Sequence, residues 1–197
     1  GLSAPEDRYL FAVLDGSEAL KRALLEVYPD TLIQRCLVHK ERNLQGYLSN
    51  RHWAELARLF KRLRECQGEE QAKDAAEAIE AFLKDKNAQA KASWLEAGEE
   101  VIALPRLEVP NELHRSLLST NCIENVFKNL RRHIGKVCRW RENTDQADRW
   151  LASGLILASK GFRRIVGHKH LPELVRALER KYKNDRSEEN QRKENAA

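Results

Sequence analysis

The sequence predicts a predominantly helical α/β protein with short parallel strands. Two observations carry this fold class: two short apolar runs flank one helical segment near the start, and a series of amphipathic helical segments follows. The chain has 197 residues, of which 42% are apolar and 33% charged, which suffices for a substantial core. It contains no apolar run of about 18 residues and no N-terminal signal segment, so we predict neither membrane insertion nor secretion.

The first predicted elements form a strand, helix, strand unit within residues 1–44. Residues 9–14 are a continuous apolar run ended by Asp15-Gly16, which is typical of a buried strand that finishes in a turn. Ser17 can cap a helix that stops before Pro29, and a second strand is predicted over residues 31–38. Because a parallel pair of strands does not stand alone in water, we expect more sheet upstream of residue 1.

Residues 45–110 are predicted to be an all-α insertion. Apolar residues recur at helical spacing over residues 50–63, 69–86 and 90–104. Such stripes are typical of helices that pack against one another. Two prolines, Pro105 and Pro110, mark the connector that ends the insertion.

The third predicted segment, residues 111–183, carries one helix that begins near Asn121 and another over residues 144–160. Trp150 lies on the second of these helices. Trp140 and Trp150 could stack on nucleic-acid bases, but the helical spacing of Trp150 with neighbouring apolar residues favours a core position. Residues 184–197 are polar and are predicted to be a flexible tail.

Positive charge is concentrated in one stretch of the chain. The formal net charge is only +5, yet residues 125–172 contain eleven basic residues against three acids, whereas residues 65–100 contain ten acids against four lysines. This pattern favours a surface that binds a polyanion such as nucleic acid over an ordinary solvated helix face. The densest part has six basic residues and no acid: Lys128, Arg131, Arg132, Lys136, Arg139 and Arg141.

Two carboxylates, Asp15 and Glu124, are candidates for catalysis. If folding brings them together, they can hold a divalent metal beside a DNA phosphodiester, which is the chemistry of phosphoryl transfer. Structural roles compete with this hypothesis, because Asp15 also suits a turn and Asn121-x-x-Glu124 resembles a helix capping box. On spacing alone, the capping interpretation of Glu124 is preferred.

The four cysteines show no disulfide framework spacing and favour a reducing, intracellular setting. Cys36-x-x-His39 supplies half of a zinc site, but the remaining cysteines and histidines lack the paired spacing that a four-ligand site needs. A buried cysteine and a partly exposed histidine at the end of a strand are at least as good an interpretation.

Several of these motifs together resemble the bacterial Mutator-type insertion-sequence transposases. The matching elements stand in the family's order over about residues 8–180: Leu14-Asp15-Gly16, the segment Gln34 to His39 with Arg42-Asn43, Phe60-Lys61-Arg62-Leu63, and Ser119 to Glu124. The resemblance implies a ribonuclease H-like catalytic domain with an acidic triad, here incomplete and interrupted by the all-α insertion. It makes Asp15 the second catalytic carboxylate and Glu124 the third.

No residue upstream of Asp15 fits the family's first catalytic aspartate. The chain is therefore expected to be the C-terminal part of a transposase and to be inactive alone. The resemblance further implies Mg²⁺ or Mn²⁺ as cofactor and places Cys36 and His39 near the active site. Asn121 would help to seat the helix that carries Glu124.

The partners implied by the resemblance are DNA, both at the transposon ends and at the target, and other copies of the protein in a transposition complex. The expected location is the bacterial cytoplasm, in association with the nucleoid, and no membrane partner is expected. Two other classes of function stay open on the residues alone. One is a non-catalytic nucleic-acid-binding helical module, and the other is a helical module for protein interaction.

Overall fold

The computed structural model describes residues 9–135, 139, 141 and 143–194. These residues form two compact units. The first unit contains the described residues up to 119 together with those from 166 onward, and the second unit contains the described residues of 120–165. The predicted boundaries after residues 44 and 110 stay predictions.

The first unit begins with the strand, helix, strand arrangement that the sequence predicts. Its elements are β1 (Phe11–Leu14), α1 (Glu18–Val27) and β2 (Leu32–Arg35). The two strands are parallel, with Phe11 opposite Leu32 and Leu14 opposite Arg35. Helix α1 starts at the predicted cap, since the Ser17 hydroxyl accepts a hydrogen bond from the Leu20 amide.

The second strand is shorter than the predicted span of residues 31–38, so that prediction is wrong at its end. Cys36 is the N-cap of a helix that the sequence did not predict, α2 (Leu37–Tyr47). The Lys40 amide bonds to the Cys36 carbonyl in the first helical turn, and the Leu37 amide donates to the Leu118 carbonyl. Leu37 and Leu44 are fully buried, so packing overrides the strand-like appearance of Cys36-Leu37-Val38.

The regular elements over residues 45–110 are all helical, as predicted, whereas their status as an insertion stays a prediction. They include α3 (Trp53–Glu65), α4 (Glu69–Lys84) and α5 (Ala88–Ala97), and the apolar stripes of these helices form the centre of the core. Trp94 packs edge-on against Phe60, with ring centroids 5.7 Å apart. Helix α5 ends earlier than predicted because Gly98 adopts a positive φ of 49° and a 3₁₀ turn, Gly98–Val101, follows.

Gln34 of β2 connects the sheet to the insertion by hydrogen bonds. The Gln34 side chain is fully buried. Its Nε2 donates to the Val101 carbonyl and its Oε1 accepts from the Leu104 amide. Both polar ends of this amide are therefore satisfied by the segment after α5, and the strand and the insertion share one core.

Two more helices complete the first unit, α6 (Asn111–Leu117) and α9 (Leu171–Glu194). Tyr182 of α9 stacks on Tyr9 with ring centroids 4.4 Å apart, beside β1. Helix α9 continues to Glu194 and so includes most of residues 184–197, for which the sequence predicts a flexible tail. The Glu, Gln, Lys and Arg residues of this segment are good helix formers once packing has nucleated a helix.

The second unit is a helical hairpin of α7 (Asn121–Ile134) and α8 (Gln146–Ser159). The helices approach closely at Gly154, where an added Cβ would lie 2.4 Å from Ile134 Cγ2 and 2.5 Å from Leu130 Cδ1. The core position predicted for Trp150 is wrong, since this residue is 43% exposed. The close contact between the helices runs through Gly154, and Trp150 borders a cavity one turn earlier.

In the part of the chain that the structure describes, no helix is long and apolar enough to cross a membrane.

Candidate active site

Asp15 lies at the carboxyl end of β1, where its side chain is exposed. Gly16 follows with a φ of +107°, which lets the chain turn sharply into α1. Asp15 Oδ1 accepts a hydrogen bond of 2.9 Å from the Ser17 amide. The aspartate therefore performs the turn role predicted as its structural alternative and at the same time presents an oriented carboxylate at the rim of the sheet.

The guanidinium of Arg35 lies directly against this turn. A Cβ added to Gly16 would come within 2.4 Å of Arg35 Nη1. The Arg35 side chain is only 4% exposed, and it bonds to Glu96 at 2.7 Å and to Glu100 at 2.9 Å. Burial by itself would lower the pKa of Arg35. The hydrogen bonds and negative charges of Glu96 and Glu100 have the larger combined effect, so the pKa of Arg35 is raised.

Arg35 belongs to an ion cluster made of Lys21, Arg35, Lys40, Glu96 and Glu100, in which Arg35 and Lys40 are buried and the Glu96 side chain is 51% exposed. Lys40 is 2% exposed, and its Nζ bonds to Glu96 at 3.0 Å and to the Ser93 carbonyl at 2.6 Å. Burial lowers the pKa of Lys40. Burial raises the pKa of Glu96, but the hydrogen bonds and charges of Lys40 and Arg35 have the larger combined effect, so the pKa of Glu96 is lowered. Lys21 of α1 pairs with Glu100.

The ion cluster joins β2, α1 and α2 to the end of the insertion. Sequence reasoning missed it, because an arginine that ends a strand and a lysine early in a helix both look like solvated residues. The usable signal was weak and concerned Arg35 alone: it stands between the apolar pairs Leu32-Ile33 and Leu37-Val38, where an isolated charge needs a partner.

Cys36 and His39 are brought together at the start of α2, with Cys36 Sγ 3.2 Å from His39 Nδ1. Cys36 is fully buried and His39 partly exposed. The Cys36 amide donates to the Leu14 carbonyl at 2.7 Å, so the pair lies at the same edge of the sheet as Asp15. Their position is a helix start rather than the predicted strand end. Among the described residues, no group of three or more His, Cys, Asp or Glu side chains is arranged to hold a metal ion.

Glu124 lies in the first turn of α7, and its side chain is exposed. Its Oε1 accepts a hydrogen bond of 2.7 Å from the Thr120 hydroxyl. The helix starts at Asn121 with Thr120 as N-cap, which puts Glu124 one position beyond that of a capping-box glutamate. Asp15 and Glu124 belong to different units, so their convergence on one metal site stays a prediction.

The predicted DNA-binding residues that the structure describes are exposed and belong to the second unit: Lys128, Arg131, Arg132, Arg139 and Arg141. Lys136 lies outside the described residues. Arg131 Nε donates to the Phe127 carbonyl at 3.3 Å, and the Arg141 amide donates to Gln146 Oε1 at 2.8 Å. We call this set of exposed cations the basic surface. Its charge and exposure suit contacts with phosphates.

The sequence is similar to that of a known protein family and to several curated proteins. The sequence model of the family described as "Transposase, Mutator family" matches residues 7–158. The chain is 28% identical over 141 residues to the transposase for insertion sequence element IS905 of Lactococcus lactis subsp. lactis (strain IL1403), covering 72% of this chain and 35% of that protein.

Two further relatives carry similar names. The transposase for insertion sequence element ISRM3 of Rhizobium meliloti (strain 1021) is 28% identical over 126 residues, 64% of this chain and 31% of the relative. The transposase for insertion sequence element IS6120 of Mycolicibacterium smegmatis is 30% identical over 177 residues, 90% of this chain and 52% of the relative. The chain thus spans about a third to a half of the curated relatives that it matches.

Proposed function

The chain belongs to the Mutator family of transposases, and from this premise we propose that it acts within a metal-dependent DNA transposase that cuts and joins strands at the ends of an insertion sequence. The names of its relatives support the reaction class. The observation that carries the proposal is the exposure and hydrogen bonding of the two carboxylates. Asp15 and Glu124 both lie within the family match, and each presents an exposed, hydrogen-bonded carboxylate at the end or start of a regular element.

The donor chemistry of these residues fits Mg²⁺ or Mn²⁺. Both ions prefer hard carboxylate oxygens, which Asp15 and Glu124 supply. When bound, a pair of such ions activates the attacking oxygen, neutralises the phosphate and stabilises the leaving oxygen. In this proposal the parallel strands belong to a ribonuclease H-like sheet. Asp15 is its second catalytic carboxylate, and Glu124, on the flanking helix, is the third.

The remaining residues orient the acids and bind DNA. The Ser17 amide and the Thr120 hydroxyl each hold one carboxylate oxygen, which limits the rotation of Asp15 and Glu124. Asn121 starts the helix that carries Glu124. His39, partly exposed at the sheet edge, can donate from its ring to a DNA phosphate while its other nitrogen faces Cys36.

Iron-mediated protein cleavage tests whether the two acids share a site. Fe²⁺ replaces Mg²⁺, and ascorbate with peroxide then produces hydroxyl radicals that cut the backbone beside the bound ion. We expect cuts near residue 15 and near residue 124, both suppressed by excess Mg²⁺. Asp15→Asn and Glu124→Gln should each abolish both cuts, because each removes a ligand of the same site. The matched control Asp30→Asn alters an exposed turn aspartate and should leave both cuts intact.

Two outcomes would contradict the shared site: cuts at one acid only, or cuts at one acid that survive substitution of the other. The exposed cations of the basic surface favour one alternative, a non-catalytic nucleic-acid-binding module. That alternative predicts no cuts, together with DNA binding that neither a chelator nor the Asp15 and Glu124 variants change. Self-association in a transposition complex is a further part of the proposal, and sedimentation with and without DNA measures it.

A further inference from the structure

The second unit contains a cavity of about 900 Å³ beside the C-terminal end of α7 and the first half of α8. Ligand sites commonly occupy roughly 300–1,000 Å³, so a nucleotide fits this space. Ile134, Gly154 and Leu157 supply apolar lining, while the other lining residues are polar, basic or aromatic. None of the described lining residues is an acid.

Trp150 provides an aromatic surface in this cavity. It is 43% exposed on α8 and lies one helical turn before Gly154, where α7 and α8 touch. An indole exposed in a cavity loses hydrophobic stabilisation unless something covers it. A nucleic-acid base is a suitable cover, because every base has a flat face that stacks on an aromatic ring.

Three arginines line the same cavity: Arg139, Arg141 and Arg149. The backbone of Arg141 is held at both polar groups, since its amide donates to Gln146 and its carbonyl accepts from the Thr144 hydroxyl at 2.9 Å. Arg149 pairs with Asp145 at 2.9 Å in an exposed i, i+4 pair, which is weak enough to yield to a phosphate. The cavity thus combines a stacking surface with anion-binding groups.

We propose that this cavity binds one unpaired nucleotide of a DNA strand, with its base stacked on Trp150 and its phosphate bound by Arg141 and Arg149. The inference rests on the proposed function, in which DNA is the substrate. A base within a duplex has both faces stacked on its neighbours, so only an unpaired or extruded base offers a face to Trp150. The site therefore selects for locally opened DNA. Phosphate contacts of the basic surface alone would not distinguish opened from paired DNA.

Fluorescence of 2-aminopurine in a DNA oligonucleotide tests this site with the full chain. One duplex carries 2-aminopurine at an unpaired position and a second carries it fully paired. We expect tighter binding and stronger quenching with the unpaired base. Trp150→Leu should weaken that binding at least about fivefold, whereas Trp150→Phe, which keeps a ring, should retain most of it. Binding of the paired duplex should change little in either variant.

Matched controls separate the cavity from general effects. Trp53 is 40% exposed on α3 in the first unit, so Trp53→Leu should leave the preference for the unpaired base intact. Arg58 and Arg149 have the same side-chain exposure of 71%, and each pairs with a nearby acid, Arg58 with Glu55 and Arg149 with the N-cap residue Asp145. Arg149→Ala should reduce binding of the unpaired-base duplex, and Arg58→Ala should not.

Three results would overturn the inference. The first is equal binding of the two duplexes, and the second is an unpaired-base affinity that Trp150→Leu does not alter. The third is competition by free dAMP at the concentration at which the oligonucleotide binds, which would identify a mononucleotide site. If the paired duplex still binds in any of these cases, the proposed function survives. A chain that binds no DNA at low salt would contradict both.

Discussion

His114 occupies a buried position on α6 and is 4% exposed. Neither of its ring nitrogens has a hydrogen-bond partner of normal geometry among the described residues. Burial lowers the His114 pKa, and the nearby Arg64 backbone offsets this effect only in part. The imidazole is therefore neutral in the folded protein at pH 7, because protonation would put an uncompensated charge into the core.

This histidine should make stability depend on pH. The unfolded chain takes up a proton on His114 near its ordinary pKa of about 6.5, whereas the folded chain does so only at lower pH. The free energy of unfolding should therefore fall as the pH drops below about 6.5, by at most about 1.4 kcal/mol per pH unit from this residue. Urea unfolding at a series of pH values measures the effect.

His114→Leu should remove this part of the pH dependence, and His133→Gln, which changes an exposed histidine on α7, should keep it. Parallel pH profiles for the parent chain and His114→Leu would show that the buried imidazole is not the cause.

At the scale of elements, the hairpin of the second unit depends on the small size of Gly154. A larger side chain would meet Leu130 and Ile134 at less than van der Waals distance. Gly154→Val should therefore push α7 and α8 apart and destabilise the hairpin by about 1–3 kcal/mol. Hydrogen exchange of the α7 amides measures the change locally. Gly161→Ala is the matched control, because its nearest contact, the Ala158 carbonyl, lies at an ordinary 3.6 Å. Similar exchange rates in the two variants would contradict the prediction.

Sequence patterns predict the elements whose stability is local and repetitive. Helices α3 and α4 follow from apolar residues at a 3.6 period, and β1 follows from an apolar run closed by Asp15-Gly16. Helix α2 could not be found in this way. Its first turn, Leu37-Val38, continues the strand pattern, and what ends β2 is a hydrogen bond to Leu118, a residue remote in sequence.

At the scale of the whole molecule, the basic surface should make DNA binding strongly dependent on salt. Each bound phosphate releases counterions, so the logarithm of the binding constant falls linearly with the logarithm of salt concentration. Replacing Arg131 and Arg132 together by alanine should weaken binding at low salt and reduce the slope by roughly one for each phosphate that is no longer bound. Fluorescence anisotropy with duplex DNA at several salt concentrations measures both quantities. Arg58→Ala, in the first unit, should leave the binding constant and the slope unchanged. An unaltered slope in the double variant would show that Arg131 and Arg132 do not contact phosphates.

The sequence provides candidate residues for the site, and their role in one site stays a prediction; it does not provide their geometry. Asp15 follows from a strand that ends in a turn, and Glu124 from a polar helix start. The insertion lies between them, and spacing along a chain carries no information about distance in space. The roles of Ser17 and Thr120 as hydrogen-bond donors to the two acids emerge only from coordinates.

The ion cluster around Arg35 has a consequence for any attempt to reduce this protein to a smaller scaffold. Glu96 and Glu100 belong to the insertion, yet their counter-ion Arg35 lies beneath the Asp15 turn. Excising residues 45–110 would remove both carboxylates that pair with Arg35 and the Glu96 partner of Lys40, so two cations would lose their ion-pair partners. The insertion is therefore not a removable appendage. A shortened chain would have to keep α5 and its 3₁₀ turn, or neutralise Arg35 and Lys40 in the same step.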